Sequence, residues 1–202
     1  MAKTHHGDGH DYGRSNKIMT LISLQHLAKF LNKYKITGRI ADFGGTNTIG
    51  APIVRSMLVL KNVTIDQRAS REGLGILVGG TPQKKIPKYF VLDYDNDVDL
   101  MKPIKGKKFD GGICMDLLEH TSNPFIIAEN ISNSLKKGAF LFVTVPWIWE
   151  LHYYPKDYWR FTPQGLEELF PKMKKISIEI IRDQAPEEEL PRTRLVGVFK
   201  KK

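Results

Sequence analysis

Cysteine is nearly absent from this 202-residue sequence. Cys114 stands alone, which excludes a disulfide framework and any metal cluster built from cysteine. Long apolar runs are missing too: Ala139–Trp149 falls far short of the ~18–20 residues of a membrane-spanning helix. The opening residues (MAKTHHGDGHDYGR) are polar and histidine-rich, unlike a secretory signal, so a soluble cytoplasmic protein is expected. Acidic residues are the scarcer charge, 22 against 31 basic, which leaves a net +9. That excess points to nucleic acid, an anionic surface or an acidic substrate, and carries no information about fold.

What is present alternates. Residues 1–14 carry His5, His6 and His10 among glycines without apolar periodicity, and are expected to form a flexible arm. From Ser15, Ile18, Leu21, Ile22, Leu24, Leu27, Phe30 and Leu31 recur at helical spacing, which predicts an N-terminal helix over 15–37. Strands are expected at 39–43, 62–66, 89–93, 109–115, 139–145, 176–181 and 195–199. Helices are expected near 48–60, 124–135 and 162–170. Strand–helix alternation implies an α/β fold, a Rossmann-like doubly wound, mostly parallel sheet in a three-layer α/β/α sandwich. The last two strands lack a helix between them, so they should form an antiparallel hairpin. No repeat or linker divides residues 15–202, read as one domain with its core over 38–202.

In such a sheet, ligands sit beyond the carboxyl ends of the strands. Asp42-Phe43-Gly44-Gly45-Thr46-Asn47-Thr48 follows the first, where glycines permit a sharp turn and close ligand approach. It is neither a G-x-G-x-x-G fingerprint nor a phosphate loop, since no GK[ST] follows. Asp66 ends the second strand, where a carboxylate can accept ribose hydroxyls. Asp93 and Tyr94 follow the third, placed for an adenine amino group.

These strand ends, with FDGGICMDLLEH at the fourth strand, resemble a class I S-adenosylmethionine-dependent methyltransferase of the broad type 11 group, over Gly38–Phe170. The resemblance implies a seven-stranded sheet in the order 3-2-1-4-5-7-6 with strand 7 antiparallel. It also places Asp42, Gly44, Gly45 and Thr46 at the methionine end of the cofactor, Asp66 at the ribose, Asp93 and Tyr94 at the adenine, and Met115 on the inner wall. Thr46 stands where the family usually has glycine, which keeps open a non-catalytic S-adenosylmethionine-binding module. The expected reaction is methyl transfer to an oxygen or nitrogen of a small molecule or sugar, yielding S-adenosylhomocysteine, with an RNA or protein acceptor as the alternative.

Pro146–Pro163 (PWIWELHYYPKDYWRFTP) holds all three tryptophans and should hang over the site mouth. It resembles a loop of many bacterial and archaeal methyltransferases, and Trp147, Tyr154, Asp157 and Arg160 are its expected substrate residues. His152 is the preferred general base and His120 the second, because a neutral imidazole suits proton removal near pH 7. Asp116, Glu119 and His120 resemble the E-x-x-E-H metal site of ubiquinone-type O-methyltransferases. A divalent metal is nevertheless not expected. Lysines cluster before the strands and acids after them, so the basic face should point away from the mouth. That placement disfavours nucleic acid as the acceptor.

Overall fold

The computed structural model of the chain describes residues 12–45, 50–70, 73–93, 96–152, 156–182 and 192–202. Helix α1 (Tyr12–Tyr34) begins three residues before the expected Ser15, so Tyr12, Gly13 and Arg14 belong to the helix rather than to the arm. Its Leu24, Leu27, Ala28 and Leu31 are buried at helical spacing. The helix gives way at Lys35, whose positive φ of 46° reverses the chain, and Gly38 (φ 87°) then turns it into β1 (Arg39–Phe43).

After β1 come α2 (Gly50–Leu58), β2 (Leu60–Ser70), β3 (Gly73–Pro82), β4 (Lys88–Leu92) and β5 (Phe109–Met115). They are followed by α3 (Pro124–Ser134), β6 (Leu135–Ile148), α4 (Pro163–Glu168), β7 (Met173–Arg182) and β8 (Thr193–Lys201). Two helices start on side-chain caps: Asn123 accepts from the Ile126 N–H, and Thr162 from the Gly165 N–H, each followed by proline.

The main sheet runs β4-β1-β5-β6-β8-β7. β4, β1, β5 and β6 are parallel, and β8 is antiparallel to both β6 and β7. Alternate residues feed two cores. Ile40, Ile113, Phe142 and Val198 pack beneath α1 and α2, while Phe43, Cys114, Leu141, Val143 and Leu195 pack toward α3 and α4. Burial on both faces explains why these strands read as continuous apolar runs.

The expected seven-strand order needs correction: the main sheet has six strands. The Asn62–Asp66 segment lies in β2, which pairs with β3 in a separate antiparallel hairpin instead of entering between β4 and β1. Pairing with the segment that follows immediately closes a far shorter loop than crossing the sheet would. Val63 and Ile65 are buried in the α1-side core, whereas Thr64 and Asp66 are exposed. The ladder is broken between Lys61 and Thr64, with Asn62 at a φ of 53°. There the Asn32 side chain replaces the missing strand partner: its Oδ1 accepts from Val63 N at 2.7 Å and its Nδ2 donates to Val63 O at 2.9 Å.

The polar arrangement of charge is present at the base, where antiparallel β8 carries Lys200 beside Lys174 of β7. Several base lysines are ion-paired there: Lys136 with Asp110, Lys172 with Glu129 and Lys175 with Glu167. No helix among the described residues is long and apolar enough to cross a membrane.

Candidate active site

The carboxyl ends of β1, β4 and β5 meet at a cavity of about 320 Å³. Its wall includes Gly44, Asp93, Leu100, Leu117, His120 and Tyr158. A larger cavity of about 440 Å³ lies at the opposite end, around Ile36, Met57 and Asn62, and has no acid or histidine in its lining.

Two glycines shape the first turn. Gly44 has a φ of 76°, and a Cβ there would stand 2.6 Å from Leu117 Cδ1. Its N–H donates to Leu92 O at 2.9 Å, tying the turn to the end of β4. A Cβ on Gly45 would stand 2.6 Å from the Asp42 carboxylate. A side chain at either position would displace Leu117 or Asp42, and at Gly44 the positive φ also favours glycine.

Asp42 is buried, and Tyr89 of the adjacent strand donates its hydroxyl to Oδ2. Burial pushes the Asp42 carboxyl up to about 6; Tyr89 opposes this, and the nearby Asp93 adds to it. Asp93 is buried as well. Its Oδ1 accepts from Asn96 N at 3.0 Å and from Asn96 Nδ2 at 2.5 Å, while Oδ2 has no partner among the described residues. Such an orphaned buried oxygen is uncommon in folded proteins.

Asp66 is placed differently. It sits within β2 opposite Leu77, exposed, in the hairpin that is separate from the main sheet. The expectation of Asp66 at the end of a strand beside β1 is thus not met; Asp93 occupies that position. Met115 is half-buried against the α1-side core. Thr46, Tyr94 and Tyr154 lie outside the described residues. Trp147 packs against the α3-side core.

On the other side of the mouth, Pro146–Pro163 is sewn to the single helical turn Leu118–His120. Tyr158 N donates to Glu119 O and Trp159 Nε1 to Thr121 O, both at 2.8 Å. Asp157 and Arg160 face each other: the guanidinium donates to both carboxylate oxygens at 2.5 and 2.6 Å, and also to the carbonyls of Trp149 and Glu150. Asp157 also accepts from His152 N at 2.9 Å and lies 3.0 Å from His152 Nδ1. Burial raises the Asp157 carboxyl, but the Arg160 and His152 contacts outweigh it and hold the group at about 2. Both residues are therefore engaged in shaping the loop.

His152 Nε2 reaches within 3.2 Å of His120 Nε2, with the rings nearly perpendicular. His120 Nδ1 donates to Lys156 O at 2.6 Å. Burial lowers the His152 pKa and the adjacent His120 lowers it further, against the pull of Asp157. Glu119 is fully buried behind His120, with Oε1 3.8 Å from His120 Nε2 and Oε2 unpartnered. Burial, reinforced by Asp116, pushes its carboxyl well above the ordinary range.

Asp116 is turned away from this group. Arg194 clasps both its oxygens at 2.8 and 2.7 Å, and Thr144 donates to Oδ1 at 2.9 Å. Arg194 is itself buried and also donates to Ser23 Oγ at 3.0 Å. The sequence reading missed Arg194. Its signal was present: an antiparallel last strand must begin at the mouth, which brings Thr193-Arg194 there.

No protein-family model matches the sequence, and no curated protein matches it. Solved structures match at the level of the fold: the chain has the class I S-adenosylmethionine-dependent methyltransferase fold. The N-methyltransferase NodS from Bradyrhizobium japonicum superposes with a TM-score of 0.54 at 9% identity, over 92% of this chain and 97% of that one. The Burkholderia thailandensis 1,6-didemethyltoxoflavin-N1-methyltransferase, solved with its substrate and S-adenosylhomocysteine, gives 0.56 at 12% identity over 99% and 93%. The [4+2]-cyclase SpnF gives 0.56 at 14% over 88% and 80%, so one fold serves more than one reaction.

Proposed function

We propose that this chain binds S-adenosylmethionine in the cavity between Gly44 and Asp93 and transfers its methyl group to an oxygen or nitrogen of a small molecule or glycan. The observation that carries this reading is the orphaned Oδ2 of buried Asp93, beside a glycine turn with no room for a side chain. A nucleoside ligand answers both features: its ribose hydroxyls donate to the free carboxylate oxygen, and its bulk lies against bare backbone. Asp93 takes the ribose role in this reading, in place of Asp66. Gly44 and Gly45 allow the methionine end to approach, and Asp42 supplies a carboxylate for its amino group. The cofactor, when bound, supplies an electrophilic methyl on a sulfonium.

The chain's own residues position the acceptor. Leu100 and Leu117 give the cavity an apolar wall, and Tyr158 and His120 offer polar contacts. Proximity and in-line orientation are sufficient to account for much of the rate in such a transfer. A small acceptor is favoured because base lysines such as Lys136, Lys172 and Lys175 already have carboxylate partners and point away from the cavity.

Calorimetry with S-adenosylmethionine tests the binding, and tritium transfer from labelled cofactor into fractionated small-molecule extract tests the reaction. Binding without transfer to any fraction would leave a binding module or a different reaction. Absence of binding would overturn the reading.

A further inference from the structure

We propose that Glu119, His120 and His152 form a site for one divalent cation of the zinc class, open toward the cavity. For what the ion does, this rests on the methyltransferase reading; for the site itself, it rests on geometry alone.

The Lys156 carbonyl can only accept, so His120 Nδ1 carries a hydrogen and Nε2 faces His152. His152 Nδ1 lies 3.0 Å from the Asp157 carboxylate without a hydrogen bond between them. The two Nε2 atoms stand 3.2 Å apart, close enough for one ion to bind both.

The spacing fits a metal ion. Nitrogens about 2.0–2.1 Å from a tetrahedral ion lie roughly 3.3 Å apart. A carboxylate is at hand, since the three ligand atoms of Glu119, His120 and His152 all lie within 4.8 Å of one another. Glu119 is 1% exposed and its Oε1 lies 3.8 Å from His120 Nε2, so a cation there would answer a buried carboxylate. Carbonyl and carboxylate contacts at the far nitrogens are the usual outer supports of metal-bound histidines. Two imidazoles and one carboxylate suit a borderline ion such as Zn²⁺ and leave a coordination position vacant. His120 lines the cavity, so that position suits an acceptor oxygen or nitrogen lying near the methyl group.

This ligand set differs from the one suggested by sequence spacing. Asp116 is removed from it because Arg194 holds both its oxygens, and His152, distant in sequence, takes its place.

The test is Co²⁺ titration of the full chain with His5, His6 and His10 replaced by alanine, so that the terminal histidines cannot compete. The expected result is one Co²⁺ per chain with intense visible absorption of a low-coordinate site, displaced by Zn²⁺. His152→Ala should weaken binding by at least roughly tenfold, and His120→Ala likewise. His152 is 31% exposed at its side chain, so its loss should leave the fold intact, which circular dichroism checks. Equal Co²⁺ affinity in His152→Ala, or no Co²⁺ absorption at all, would overturn the proposal; the latter would leave a shared proton between the rings. S-adenosylmethionine calorimetry on the same preparations separates the two readings. Cofactor binding without cobalt sinks only the metal site, and cobalt without cofactor binding sinks only the methyltransferase reading.

Discussion

Glu119 apart, the two sides of the site mouth treat their acids in opposite ways. Toward Pro146–Pro163, Asp157 and Asp116 are each clasped by a guanidinium, Arg160 and Arg194. Toward the glycine turn, Asp42 and Asp93 are buried with a phenol and an amide as partners, and among the described residues no cation pairs with either. A paired buried carboxylate holds structure in place, because its charge is already answered. An unanswered one costs stability, and its retention is explained by a ligand that answers it. The difference thus separates scaffold from binding site on physical grounds, independently of any relative.

Breaking a pair should produce the largest effect. Arg160→Ala strands Asp157, whose side chain is 0% exposed, and is expected to cost about 3 kcal/mol of unfolding free energy in denaturant. Asp93→Ala removes a carboxylate that no cation balances, and should change stability by less than about 1 kcal/mol. If both variants lose stability equally, the distinction between the two sides fails.

The pH dependence should also divide them. Asp42 is held at about 6 in the folded protein against 3.8 when unexposed to these surroundings, so the folded state binds more protons between those values. Stability should therefore fall as pH rises from about 4 to 6, by up to about 3 kcal/mol, then level off. Asp42→Asn should remove that fall. Asp157 behaves oppositely: its pKa of about 2 gives stability that is present above 3.8 and lost as pH drops toward 2. Melting curves of wild type and Asp42→Asn from pH 2 to 7 check the two signs.

For the ligand, Asp93→Ala should weaken S-adenosylmethionine binding by roughly 10–100-fold, the value of hydrogen bonds to a charged group at about 1.5–3 kcal/mol. Calorimetry reads it directly. An unchanged affinity would remove Asp93 from the site.

Much of this mouth was legible before the structure, because residues at the carboxyl ends of parallel strands are fixed by strand position alone. That puts Asp42, Gly44, Gly45 and Asp93 at the ends of β1 and β4, although Asp93 was expected at the adenine rather than the ribose. Two things were not. The NVTID segment has the same alternation whether it joins the main sheet or a hairpin, and its partner Gly73–Pro82, rich in glycine, did not read as a strand. The meeting of His120 with His152 depends on loop bonds from Tyr158 and Trp159, which no local pattern encodes.

The hairpin supplies the smallest expected effect and the sharpest control. Asn32 satisfies both backbone groups of Val63 where the β2–β3 ladder is interrupted, so Asn32→Ala leaves a donor and an acceptor without protein partners. The expected cost is about 1–2 kcal/mol in denaturant. Asp66 lies on the exposed side of the same strand, and Asp66→Ala should change neither stability nor cofactor affinity. The pair Asp66→Ala and Asp93→Ala thus asks one question of two aspartates, one inside β2 and one just after β4. If the hairpin swings beside β1 when cofactor binds, Asp66→Ala will weaken binding as Asp93→Ala does. If β4 is the strand that presents the ribose carboxylate, only Asp93→Ala will.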